Sequence, residues 1–118
     1  MDIRRIGSGR CWQQCADAGC EVIEIDFNFT SDGYLACIHD WYTEYADEIT
    51  NNVPLTLDEF LECKIYRNFT PVWLGDIVDF LRENEGTYIV TDIKDDNLGG
   101  VAAIAEYAPD LKNRFIVQ

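Results

Sequence analysis

An α/β fold with parallel strands is predicted by three features of the chain. Apolar runs of strand length occur at residues 22–29 and 87–93, and a third begins at 114. Between them, Leu74, Ile77, Val78 and Leu81 recur at helical spacing, i, i+3, i+4, i+7. From residue 22 onward the order is therefore strand, helix, strand, helix, strand, which is the signature of βα units and a parallel sheet.

Each element has its own local reason. Residues 10–18 read as a helix that stops at Gly19, a C-terminal cap. Val22–Phe29 reads as a buried strand. Asp32-Gly33 is a tight-turn signal, and Tyr34–Ile38 reads as the returning strand. Residues 40–55 are acidic and aromatic, and Asn51-Asn52 and Pro54 mark them as loop. Thr56-Leu-Asp-Glu59 is a capping box opening a short helix to about Cys63. Thr70-Pro71 interrupts the chain before the amphipathic helix, which is expected to end near Gly86. Thr87–Ile93 is the next buried strand. An alanine-rich helix over 98–108, weakened at its start by Gly99-Gly100, precedes a last strand over 114–118. Carboxylates fall at or near the C-terminal ends of the strands, as in a (β/α)₈ barrel; a full barrel needs about 250 residues, so 118 correspond to roughly half of one.

The whole-chain balance excludes several function classes. The chain is 47% hydrophobic and 26% charged, which is globular, and it is long enough for one modest domain with a real core. Twenty-two acidic against nine basic residues give a formal charge of −13, a field that repels nucleic acid and anionic membranes. A phosphate substrate would need a local cation to enter. No apolar run approaches the roughly 20 residues of a membrane-spanning helix, and Met1-Asp-Ile-Arg-Arg5 lacks the apolar core of a secretory signal. Five cysteines (11, 15, 20, 37 and 63) form no CxxC pair and have no nearby histidine to complete a zinc set. They are read as free, mostly buried thiols in a reducing, cytoplasmic compartment. The sequons Asn28-Phe-Thr30 and Asn68-Phe-Thr70 would matter only in a eukaryotic secreted protein and, with no signal segment read, are discounted.

The chemistry concentrates between residues 24 and 40. Alternate strand residues share a face, so Glu24 and Asp26 point the same way about 7 Å apart, with Asn28 beyond them and Ile23, Ile25, Phe27 and Phe29 opposite. Such a row of oxygen donors suits a hard divalent cation; it is also what any sheet shows to water on its polar face. The turn at Asp32-Gly33 returns the chain toward this strand and brings back His39, the chain's one histidine. A cation and an imidazole in one pocket are the parts of a phosphate-ester hydrolase. An unrelated calcium-binding domain would predict the loop D-x-[DN]-x-[DN]-G, which the chain does not contain.

The combined pattern Glu24-x-Asp26-x3-Thr30-x-Asp32-Gly33-x5-His39-Asp40, with Thr91-Asp92-Ile93-Lys94 at the end of the next long strand, resembles the glycerophosphodiester phosphodiesterase family over about residues 19–118. The resemblance implies a partial TIM (β/α)₈ barrel in a single domain over 1–118, with residues 30–70 as the family's insertion. It implies metal-dependent hydrolysis of small-molecule glycerophosphodiesters to an alcohol and glycerol 3-phosphate, with calcium or magnesium as the cation. Position by position, Glu24, Asp26 and Asp92 correspond to metal ligands, Asp92 standing where the family commonly has glutamate. His39 corresponds to one of two catalytic histidines, and Lys94 to a lysine that holds the phosphate. The strand ending in His-Arg-Gly that opens the family's barrel has no match before residue 19. The expectation is therefore a fragment, or a degenerate chain that keeps a cation and phosphate grip without turnover. Half a barrel also leaves edges uncovered, so self-association is expected.

Overall fold

A computed structural model describes residues 21–66, 70–93 and 96–117. The expected helix near residues 10–18, Cys11, Cys15, Cys20, Asn68 and Lys94 lie outside the described residues.

Strand β1 (Glu21–Phe29) is followed by the short β2 (Leu35–Ala36), helix α1 (Leu57–Glu62), helix α2 (Leu74–Glu83), β3 (Thr87–Ile93), helix α3 (Asn97–Tyr107) and β4 (Phe115–Val117). One sheet contains all four strands in the order β2-β1-β3-β4. β1, β3 and β4 are parallel, and β2 is antiparallel to β1. The predicted parallel sheet is present, with a mixed edge.

The pleat divides the residues of β1 and β3 between two environments. Ile23, Ile25 and Phe27 pair with Ile89, Thr91 and Ile93. With the exception of Thr91, these residues share a buried core with Leu74, Ile77, Val78 and Leu81 of α2 and Ile104 of α3. The i, i+3, i+4, i+7 stripe of α2 is thus the face turned to the sheet. Burying each such side chain contributes roughly 1.5–3 kcal/mol. Glu24, Asp26 and Asn28, with Val90 and Asp92, take the other face.

The hairpin after β1 closes as its Asp-Gly signal predicts. Gly33 has φ 87°, the left-handed region open to glycine, its N–H donates to the Thr30 carbonyl (3.1 Å), and Thr30 N–H donates to Tyr34 O (2.7 Å). The returning strand is shorter than the predicted Tyr34–Ile38. Beyond Ala36 the chain leaves β1, because Cys37 N–H donates to Val72 O (2.8 Å); Ala36, paired with Asn28, also bridges Trp73.

The 40–55 stretch is more than loop. Apart from a 3-10 turn at Thr43–Tyr45 it has no regular structure, yet it buries Trp41, Ala46 and Ile49 in a second small core with Leu57, Phe60 and Cys63. The Trp41 indole lies edge-on to Phe60, with centroids 5.6 Å apart. The capping box that opens α1 is present in full. Thr56 Oγ1 accepts from Glu59 N–H (3.2 Å), and the Glu59 carboxylate accepts from Thr56 N–H (2.9 Å). Helix α3 is capped by Asp96, whose carboxylate accepts from Gly99 N–H (2.9 Å). No helix among the described residues is long and apolar enough to cross a membrane.

Candidate functional site

The site is built by strand register. Asp26 on β1 pairs with Asp92 on β3, so the two carboxylates stand side by side on the face opposite the helices. Parallel neighbours are about 4.8 Å apart. Glu24 lies on the same face two residues earlier, beside Val90. All three acidic residues are half-buried. Two like charges in register are unfavourable unless something positive lies between them, and among the described residues no basic side chain forms an ion pair with either. As a donor set, half-buried carboxylate oxygens fit a hard divalent cation. The described side chains do not converge into a cluster of three ligands. Asn28 is 4% exposed, and its side-chain oxygen accepts the neighbouring Phe29 N–H (2.8 Å).

Residues 39–45 are held at the C-terminal end of β1. The Trp41 indole N–H donates to the Phe29 carbonyl (3.1 Å), and Asn52 N–H donates to Trp41 O (2.7 Å). His39, two residues before that anchor, is half-buried and stacks on Tyr42 with ring planes 27° apart. Tyr42 in turn packs on Tyr45 (5.5 Å), and Tyr45 on Tyr66 (5.7 Å). Burial pushes the Tyr45 hydroxyl pKa up, and the neighbouring Tyr66 and Tyr42 and the charges of Asp26 and Asp40 push it further. A ladder of rings therefore runs from His39 through Tyr42 and Tyr45 to Tyr66. Composition marked this stretch as aromatic, but its seat at the end of β1 depends on the Trp41 anchor, which no local pattern announces.

The hairpin and α1 are joined by Asp32. One carboxylate oxygen accepts from Thr30 Oγ1 (2.6 Å) and from Leu57 N–H (2.9 Å) at the first turn of α1. These hydrogen bonds, that of Thr30 foremost, hold the Asp32 carboxyl below its ordinary pKa. Thr30 and Asp32, part of the motif, thus tie the hairpin to the first turn of α1.

Cys37 and Cys63 are free thiols. Burial, reinforced by Asp76, pushes the Cys37 pKa well above its ordinary value. Burial and the charge of Glu48 raise that of Cys63 to about 11. Both are the inert kind of cysteine.

No protein-family model matches the chain, and no curated protein matches it. Solved structures do. A glycerophosphodiester phosphodiesterase from Agrobacterium tumefaciens str. C58 superimposes with a TM-score of 0.65 at 17% identity, covering 89% of this chain and 48% of that one. A glycerophosphoryl diester phosphodiesterase from Parabacteroides distasonis ATCC 8503 gives a TM-score of 0.60 at 18% identity, covering 90% of this chain and 38% of its own. This chain is thus similar in fold to glycerophosphodiester phosphodiesterases, over a segment that spans less than half the length of either structure.

Proposed function

We propose that the sheet face opposite the helices is a divalent-cation and phosphodiester site, and that the full-length parent hydrolyses glycerophosphodiesters to an alcohol and glycerol 3-phosphate. The observation that carries this reading is the in-register Asp26–Asp92 pair on the face opposite the helices. The winding of the sheet supports it. β1, β3 and β4 are added in chain order to one edge, as in an arc of a (β/α)₈ barrel, whereas an open doubly wound sheet reverses direction.

In this reading Asp26 and Asp92 would hold a calcium or magnesium ion, with Glu24 two residues before Asp26 on the same face. Bound there, the cation would offset the phosphate charge and polarise the phosphoryl oxygens. His39 transfers a proton at the ester oxygen, the imidazole being the side chain suited to give and take one near neutral pH. Lys94 is assigned the phosphate as a point charge. The anchoring of Trp41 to the Phe29 carbonyl supports a position of His39 near the end of β1.

A second reading, a cation- and phosphate-binding module without turnover, is favoured by one observation: the 118 residues contain one histidine, where the resemblance implies two. A coupled assay for released glycerol 3-phosphate, with calcium or magnesium, tests both. The phosphodiesterase reading expects weak turnover that falls about 10²-fold or more in His39→Ala. Turnover indifferent to that substitution would remove His39 from the mechanism. Cation binding without turnover would select the module.

A further inference from the structure

The hairpin turn, the start of α2 and the end of α3 enclose a groove of about 430 Å³ that contains none of the site residues above. Three aromatic rings shape it. Trp73 is central, with Tyr34 edge-on at 5.8 Å and Tyr107 at 5.5 Å. Tyr34 and Tyr107 are 46% and 47% exposed, so their rings are open to solvent. The seat of Trp73 is built into the backbone: a side chain at Gly75 would collide with the indole, and glycine leaves the room the ring occupies. Of the described lining residues only Glu106 is charged, and among the described residues no basic side chain pairs with it.

These features select a ligand class. Aromatic faces attract cations, and a carboxylate beside them adds a counter-charge. The net charge of −13 disfavours an anion. One carboxylate and no converging oxygen donors make a poor metal site. The volume falls within the roughly 300–1,000 Å³ of small-molecule pockets. We propose that this groove binds a small organic cation of the methylated-ammonium class, seated against Tyr34, Trp73 and Tyr107 with Glu106 as counter-charge. The proposal is independent of the phosphodiesterase reading.

The test is calorimetric titration of the 118-residue chain with tetramethylammonium and, separately, with the neutral tert-butanol. The expected result is saturable binding of tetramethylammonium, with tert-butanol at least about 10-fold weaker, since the cation–π attraction is absent from the neutral compound. Tyr107→Ala and Glu106→Gln, both at exposed positions and so compatible with folding, should each weaken binding about 3- to 10-fold. Gly75→Ala should weaken it further by displacing the indole. Equal binding of the two compounds would make the groove merely apolar and overturn the proposal. So would the absence of saturable binding, or wild-type affinity in both Tyr107→Ala and Glu106→Gln.

Discussion

Among single residues, Arg114 shows how one side chain secures the scaffold beneath the site. Its guanidinium donates to the carbonyls of Thr87 (2.7 Å), Asn84 (2.6 Å) and Leu81 (3.2 Å), and lies 5.6 Å from the Tyr88 ring centroid. It thereby adds a second donor to carbonyls at the C-terminal end of α2 and ties them to the start of β3. Arg114→Ala should lower the free energy of unfolding by about 1.5–3 kcal/mol, the usual worth of hydrogen bonds to a charged group. Arg114→Lys should recover only part of it, because an ammonium does not reproduce the planar fork. Urea denaturation of both variants checks this, and a wild-type midpoint for Arg114→Ala would contradict it. The thiols provide a second check. With Cys63 at about 11 and Cys37 pushed well up, both should be nearly unreactive toward iodoacetamide at pH 8 in the native protein and react after denaturation. Mass mapping of the alkylated peptides reads this directly, and rapid native labelling of either would show that burial does not protect it.

Among the elements, the hairpin and α1 form a unit held by Asp32. Its folded pKa lies below the ordinary 3.8, so its contribution to stability is present above that value and is lost as pH falls through the lower folded value. Asp32→Ala should therefore lower Tm at pH 7, and the gap to wild type should narrow as pH is taken below about 3.8. A gap that persists unchanged in acid would mean that the carboxylate charge plays no part. These elements also show why some structure was legible and some was not. The period-3.6 stripe of α2, the capping box of α1, the Asp32-Gly33 turn and the apolar runs of β1 and β3 are all local signals, and each element stands where its signal lies. Residues 40–55 read as loop because their packing is non-local. Trp41 is fixed by Phe29 O and Phe60, twelve and nineteen residues away, and no short-range period encodes such contacts. The over-long prediction for β2 has the same origin, since the hydrogen bond from Cys37 goes to Val72 rather than to β1.

For the whole molecule, register is what turns separate acidic residues into a candidate site. Same-face spacing of Glu24 and Asp26 could be read from the strand period, and Asp92 was legible as a strand-end carboxylate. That Asp26 stands directly beside Asp92 follows only from the pairing of β1 with β3, which sequence period leaves undetermined. The outer strand has a consequence of its own. Ile116 and Val117 of β4 are about 40% exposed at the edge of the described sheet. If that edge mediates self-association, Ile116→Lys should shift the chain toward monomer in sedimentation velocity, as charges on edge strands do. An unchanged distribution would place any association elsewhere. The central claim, that the sheet face opposite the helices holds a divalent cation through Asp26 and Asp92, meets its most direct test in calcium titration calorimetry of the wild-type chain beside Asp26→Asn and Asp92→Asn. Without cation, each variant should be as stable as wild type or a few tenths of a kcal/mol more stable, because a like-charge neighbour is relieved. With calcium, the wild type should bind at one saturable site, and each substitution should weaken binding at least about 10-fold. No binding by the wild type, or equal binding by all three proteins, would contradict the account.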